Sequence, residues 1–388
     1  MRVLFISNLF PDEKENYRGQ DNANLLHRLS DHCSVRVLST RPARPFRRVP
    51  TYIPRLQDAP LRPLFVPYYY IPKVGSLFNH ILFYYSTRGS IQNLIGDFSP
   101  DVILSSWSYP DSCAVAKIAK VCDIPLVSIC QGSDVHMYMR FPLRSLVIRT
   151  NLTLAETVIP RSWKLGRILV GAGFSPTHVT PIYNGVDTSI FHPGDKLAAK
   201  MSLGLREGSR YLLYVGNFYT VKNPSLLVRA FAKAKETYSG SDLQLVMIGE
   251  GYLLPELEEL ARTLGVSEAV SFLGRKVPWE VAQFMRAADL LCIPSFNEGL
   301  PNVLLESLSC GLPVVSTDVG GISEVLDNVN CGDLVSSFCP VDFSQAILGR
   351  LQIEIDPSSI VNLSKEFSWD KTVLSYFRIL QDAASIRH

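Results

Sequence analysis

Residues 290–316 constrain the fold of this chain more than any other stretch. Leu290-Leu291-Cys292-Ile293 is a short apolar run. The loop Ser295-Phe296-Asn297-Glu298-Gly299-Leu300 follows, then an apolar stretch from Pro301, then Gly311-Leu312-Pro313-Val314-Val315-Ser316. The pattern is strand, loop, helix, strand: one βα unit of a parallel sheet. Pro301 suits the first helical turn, where its missing N–H costs nothing. The same alternation runs through the chain. Strands are expected at 3–7, 35–39, 102–105, 126–129 and 179–182, with helices around 22–29, 79–95, 112–122 and 161–170. A second series has strands at 211–215, 243–248, 270–272, 290–293, 313–316 and 332–335, with helices near 224–235, 255–264, 279–287 and 302–309. Strands alternating with helices of this length predict an α/β chain of two doubly wound, Rossmann-like domains. The 388 residues suit two domains of about 190 residues each, joined in the turn-rich stretch 183–195.

A hydrophobic fraction of 47% with 19% charged residues describes a well-buried globular protein. Eight scattered cysteines form no CxxC pair; Cys130 and Cys292 lie in apolar strands, as buried thiols in a reducing cytoplasm would. The first residues turn polar too early for a signal peptide, and no apolar run is long enough to span a membrane. The expected location is the cytoplasm, either free or at the inner face of the membrane. The charge is unevenly spread. Residues 1–190 hold 21 Lys and Arg against 13 Asp and Glu, and the remainder 17 against 23. The excess concentrates at 41–88, where Arg41, Arg44, Arg47, Arg48, Arg55, Arg62, Lys73 and Arg88 meet only Asp58, among many aromatics and prolines. Such a segment suits an anionic membrane surface or a large anionic acceptor, or else a long ordered loop packed on its own domain. Nucleic acid is not an expected partner, because no recognition motif accompanies the charge.

The candidate chemistry lies in the second half. Glu298 and Glu306 stand eight positions apart, the first in a loop at a strand's carboxyl end, where open α/β sheets bind ligands. Ionised carboxylates only accept hydrogen bonds, so sugar hydroxyls are natural partners. The amides of Gly299 and its neighbours open a helix and suit an anionic or polar group. Lys222 follows the strand ending in Val215-Gly216-Asn217 and stands just ahead of a Pro-started helix, a sensible place for a diphosphate clamp. Gly216 lets the backbone approach a ligand, and Arg275, after the strand at 270–272, can stack on or bond a base. No GxxxxGK[ST] or strand-borne GxGxxG is present, and no Asp-x-Asp triplet calls for a metal. Taken singly, each of these residues also reads as a solvated surface group.

In order along the chain, these pieces resemble the retaining glycosyltransferases of the GT-B fold, in the large family (family 4, group 1) with the ExxxxxxxE motif. The matching elements are Gly216-Asn217 with Lys222, Ile248-Gly249-Glu250-Gly251, Phe272-Leu273-Gly274-Arg275, the Glu298–Glu306 block, Gly311 to Gly321 with Glu324, the hinge Asn184-Gly185-Val186-Asp187, and Phe367-Ser368-Trp369. The resemblance implies two Rossmann-like domains facing across a cleft. Residues 1–187, joined by a C-terminal helix at about 370–388, would bind the acceptor, and 188–369 the nucleoside diphosphate sugar, with a UDP-sugar favoured. No cofactor or metal is implied. Lys222 would hold the diphosphate, Glu298 the donor sugar and Glu306 the ribose. Amides at Gly299, Leu300, Pro301 and Asn302 would support sugar and phosphate, Gly216 and Asn217 would line the donor site, and Gly249, Arg275 and Val277 would frame the base. Gly19, in the loop 8–19, and Asp134 would lie on the acceptor side. The chain departs from the pattern at Asn217, where relatives often carry arginine, at Gln131, where they often carry histidine, and at Pro160, a common serine. Lys222, Glu298 and Gln131 are the expected catalytic residues, although Gln131 can hydrogen-bond a sugar but cannot take a proton as imidazole does; His136 stands nearby.

The expected activity is transfer of a hexose, with retention, to a glycan or lipid-linked acceptor in surface polysaccharide biosynthesis. Two rivals stay open: a nucleotide-sugar epimerase on the same fold, which would turn over donor alone, and a non-catalytic sugar-nucleotide-binding scaffold, which Gln131 and Asn217 favour.

Overall fold

The computed structural model describes residues 1–44, 50–240, 242–326 and 331–386. The chain forms two compact units, Met1–Asn184 with Trp369–His388, and Gly185–Ser368. The first carries β1 (Arg2–Ser7), α1 (Gln20–Leu29), β2 (Ser34–Ala43), β3 (Leu64–Tyr69), α2 (Asn79–Phe98), β4 (Val102–Ser106), α3 (Cys113–Val121), β5 (Leu126–Cys130), α4 (Ser133–His136), α5 (Pro142–Leu152), β6 (Thr157–Pro160) and α6 (Trp163–Gly171). Its strands run parallel in the order β3-β2-β1-β4-β5-β6. Val3 and Phe5 point to the face covered by Leu25, Leu26 and Leu29 of α1. Leu4 and Ile6 point to the opposite face, against Phe83 and Ile91 of α2 and Val115 of α3. Both faces of β1 are therefore dry, which is why it reads as an unbroken apolar run.

Two strands depart from the expected pattern. Residues 179–182 form no strand beyond a single bridge from Val179 to Val158; Pro181 has no N–H to extend the ladder. The sixth strand is Thr157–Pro160 instead, too short to stand out by periodicity. The other is β3, inside the basic aromatic segment. Pro67 opposes Arg41 on β2, and an edge strand tolerates a proline that a central one would not. Much of that segment is used internally. Arg41 is buried, pairs with Asp12 at 2.8 Å and lies over the rings of Tyr52 and Phe65. Arg55 and His27 both reach the buried Asp58 at 2.7 Å, and Tyr68 packs on Phe83 with ring centroids 4.9 Å apart. Phe46, Arg47, Arg48 and the side chain of Lys73 lie outside the described residues.

The second unit carries α7 (Lys196–Ser202), β7 (Arg210–Val215), α8 (Pro224–Thr237), β8 (Leu243–Ile248), α9 (Leu254–Thr263), β9 (Val270–Phe272), α10 (Pro278–Ala287), β10 (Leu290–Ile293), α11 (Asn302–Ser309), β11 (Val314–Thr317), β12 (Gly332–Val335), α12 (Pro340–Leu351) and α13 (Pro357–Ser364). Its parallel order is β12-β11-β10-β7-β8-β9. Leu212 and Tyr214 of β7 pack with Leu245 and Met247 of β8, Leu227 and Phe231 of α8, and Phe343 and Ile347 of α12. The chain then returns to the first unit as α14 (Trp369–Ser385). Trp369, Val373, Tyr376, Leu380 and Ala383 recur at helical spacing and complete the face over Val3 and Phe5.

Candidate functional site

Each sheet has one place where growth reverses direction: between β1 and β4 in the first unit, and between β7 and β10 in the second. Loops leaving the carboxyl ends of the two strands on either side splay apart there, which opens a crevice for ligands.

In the second unit, the loop after β7 passes Gly216, Asn217, Phe218 and Tyr219 into a single 3-10 turn, Thr220–Lys222. Asn223 takes a left-handed conformation (φ 47°), and Pro224 starts α8. Tyr252, from the loop after β8, braces the turn. Its phenol accepts the Thr220 N–H at 3.1 Å, meets Thr220 Oγ1 at 2.7 Å, and stacks on Tyr219 with centroids 5.3 Å apart. The loop after β10 brings in Glu298, whose two carboxylate oxygens lie 2.7 and 2.8 Å from Lys222 Nζ. Ser295 Oγ donates to Oε1 at 2.6 Å, and the Phe296 N–H donates to Val221 O at 2.9 Å, tying the two loops together. Gly320 supports the carboxylate loop from β11: with φ at 60° and an added Cβ only 2.2 Å from Glu298 O, no side chain fits there.

The remaining second-unit residues fall along the same strand ends. Asn217 is exposed after β7 and its carbonyl accepts the Tyr214 phenol at 3.0 Å. The Gly249 N–H, after β8, donates to Gly274 O at 3.0 Å. Arg275, after β9, pairs with Glu250 at 3.5 Å, and the Val277 N–H donates to the Glu280 carboxylate at 3.1 Å. Gly299, Leu300 and Pro301 lead into α11, with Pro301 at the N-cap and Asn302 as the first helical residue. Glu306 lies half-buried in α11.

The first unit's crevice is built differently. Gly19 caps α1 in a left-handed conformation (φ 63°), and a Cβ there would meet Leu9 C at 2.3 Å, so the 8–19 loop closes tightly on the helix. Asp134 is fully buried; Oδ1 accepts the amides of Gln131 at 3.0 Å and Gly132 at 2.7 Å, and Oδ2 accepts that of Ser108 at 2.8 Å. Burial pushes its carboxyl above the usual range while these amides pull it down. Asp134 thus holds backbone and presents no carboxylate to solvent. Gln131 spends its amide locally: Nε2 donates to Ser106 Oγ at 2.7 Å and Asn22 Oδ1 at 3.0 Å, and Oε1 accepts Arg161 Nε at 3.4 Å. Arg161 in turn donates to Tyr376 of α14 at 3.0 Å. His136 is half-buried, and its Nε2, shut off from solvent, has no hydrogen-bond partner among the described residues.

Sequence reasoning missed Asp111, which faces Asn8 across the β1/β4 crevice. Asp111 Oδ2 accepts both the backbone N–H of Asn8 at 2.6 Å and its side-chain amide at 2.7 Å. Burial pushes the Asp111 carboxyl up to about 7, against the pull of those two hydrogen bonds. No motif marks Asp111; the strand order would have pointed to it, because only that order makes β1 and β4 neighbours.

Two parallel six-stranded sheets, each with a single reversal point and a loop-borne cluster at it, define the GT-B class of α/β proteins. The model of "Glycosyl transferases group 1" matches residues 195–365 and that of "Glycosyltransferase Family 4" residues 22–190. The chain belongs to this glycosyltransferase family. A D-inositol 3-phosphate glycosyltransferase of Acidothermus cellulolyticus is 34% identical over 248 residues, covering 60% of this chain and 54% of that protein. The chain spans about half the length of the curated relatives it matches. Among solved structures, Anabaena Alr3699/HepE in complex with UDP aligns with a TM-score of 0.73 at 18% identity, over 98% of this chain and 100% of that one. The apo form of the lipopolysaccharide outer core galactosyltransferase WaaB aligns with a TM-score of 0.72 at 18% identity, over the whole of both chains.

Proposed function

We propose that the chain is a retaining hexosyltransferase that takes its sugar from a nucleoside diphosphate, with UDP favoured, and delivers it to a hydroxyl of a glycan or lipid-linked acceptor in surface polysaccharide synthesis. One observation carries the reading. The candidate residues follow the strand order of the second sheet: Glu298 after β10, Asn217 and Lys222 after β7, Gly249 after β8, Arg275 and Val277 after β9. Three inter-strand steps span about 14 Å, which suits a sugar, a diphosphate and a nucleoside laid end to end. Glu298 then meets sugar hydroxyls, Lys222 and the amides at Gly299 to Asn302 meet the diphosphate, and Arg275 and Val277 meet the base. Glu306 takes the ribose.

In this reading the bond from the anomeric carbon to the phosphate oxygen breaks as the acceptor oxygen bonds the same face. The acceptor proton passes to the departing phosphate oxygen. Lys222 and the oriented amides stabilise the charge that develops there. That assignment leaves no step for a metal, so turnover is expected to survive a chelator.

The neighbours support the finer parts. The Anabaena structure holds UDP, the WaaB name specifies a lipopolysaccharide core, and the curated relatives are named for inositol 3-phosphate. Contact of 41–88 with an anionic membrane, at its cytoplasmic face, is supported by the exposed Ile71, Phe78, Ile81 and Tyr85, with Arg88 over the Tyr85 ring at 5.2 Å. No helix of the described residues is long and apolar enough to cross a membrane. The scaffold reading keeps one observation in its favour: Gln131 has both ends of its amide engaged within the protein.

The test is incubation of the purified protein with UDP-, GDP- and ADP-sugars without acceptor, with nucleotide and sugar measured by mass spectrometry. Slow release of nucleotide from one donor is the expected result. Interconversion of the sugar would replace the reading with an epimerase, and binding without turnover even when glycan acceptors are supplied would replace it with a scaffold.

A further inference from the structure

Lys222 and Glu298 form a pair in which a carboxylate already holds the ammonium that a phosphate would seek. Nζ sits within 2.8 Å of both oxygens. The carboxylate is fastened from behind by Ser295 Oγ at 2.6 Å, and its loop is tied to the lysine loop by the Phe296 N–H to Val221 O bond at 2.9 Å. Glu298 is 8% exposed, whereas the Lys222 side chain keeps 30% of its surface. A phosphate approaching from solvent therefore reaches the ammonium with a fixed negative charge directly behind it, one that the tied loops keep from retreating.

The cost of that charge differs between the two nucleotides of the proposed reaction. The terminal phosphate of a free nucleoside diphosphate carries about 1.5 to 2 negative charges at neutral pH, whereas the same phosphate esterified to a sugar keeps about one. Like charges a few ångströms apart repel strongly beneath a protein surface. The sugar-bearing form also offers hydroxyls for the carboxylate to accept, and the free diphosphate offers none.

Resting on the transferase reading, we propose that Glu298 discriminates against the nucleoside diphosphate product and in favour of its sugar donor. Loss of the sugar raises the charge beside Glu298 and removes the hydroxyls that compensated it. The carboxylate then takes Lys222 back, and the product leaves. One residue serves both as a contact to the sugar and as the group that prevents product from occupying the site.

Isothermal titration of the full chain with UDP, GDP and ADP, and with the glucose ester of each, tests this. For the nucleotide that binds, Glu298→Gln should hold the free diphosphate about tenfold more tightly than the native chain, because the repulsion is gone and the side chain's shape is kept. Donor affinity should stay level or fall, so the preference for donor over product shrinks by at least about tenfold. Glu298→Ala should shift the free diphosphate in the same direction, which guards against a packing defect peculiar to one variant. Free diphosphate held no more tightly by either folded variant than by the native chain would overturn the proposal and leave the transferase reading standing. Failure of the native chain and both variants to bind any nucleotide or donor would sink the reading of the site, and this inference with it.

Discussion

In the first unit the strand-end loops close on carboxylates that never reach solvent: Asp111 binds Asn8 twice, and Asp134 collects three backbone amides. In the second unit, the equivalent reversal of strand order carries Lys222 and Glu298, joined by an ion pair that solvent still reaches. The same topology therefore serves two ends. A carboxyl group bonded to amides and stripped of water organises backbone, because the groups it holds do not move. A carboxylate whose charged partner is a single flexible ammonium, itself reached by solvent, can exchange that partner for a ligand at modest cost. Burial and the number of fixed donors separate the two roles, even though the side chains are chemically alike.

This contrast can be broken by experiment. The largest effect is expected at Lys222: Lys222→Met should lower donor turnover by about 100-fold or more, the scale for removing a group that stabilises developing charge, while the melting temperature changes little. A variant with native turnover would remove the second crevice as the catalytic one. Asp134→Ala should do the opposite, costing about 3–5 kcal/mol of stability by stranding three buried amides. Urea denaturation reads that loss directly, and a native midpoint would show that Asp134 does not hold the loop.

Asp111 sharpens the comparison through pH. Its folded carboxyl keeps a proton up to about pH 7, whereas an unfolded aspartate gives it up near pH 3.9. Its contribution is thus fully present below about pH 4 and is lost as pH rises towards 7. Asp111→Asn does not titrate, so its stability relative to the native chain should climb across that window by about 2–4 kcal/mol and then level off. A difference that stays flat from pH 4 to 8 would assign the titration elsewhere. The smallest effect is expected at Gln131. Gln131→Ala should cost about 1–2 kcal/mol of stability through the lost Ser106, Asn22 and Arg161 bonds, and less than about tenfold in turnover. A loss as large as that of Lys222→Met would restore Gln131 to the chemistry.

Some of this was open to a reader of the sequence. The unbroken apolar runs of β1 and β10 announce strands covered on both faces. Gly299 and Pro301 mark where the loop after β10 turns into a helix, and Lys222 ahead of Pro224 marks another. The short β6 and the proline-bearing β3 were not legible, because their residues owe the strand conformation to a neighbour that supplies hydrogen bonds rather than to their own preference. Nor was the fate of Arg41 and Arg55. Both look like members of a cationic surface until Asp12 and Asp58 are placed against them.

The sequence by itself determined the alternation of strand and helix, the two-unit plan and the identity of the groups available for binding, because these rest on local periodicity and on residue chemistry. Tertiary structure alone decided which groups meet. Lys222 and Glu298 are 76 positions apart, and Asn8 and Asp111 are 103 apart; each pair is brought together only when β7 lies beside β10, or β1 beside β4. Strand order is fixed by the packing of whole helices over whole sheets, and no local window of residues contains it.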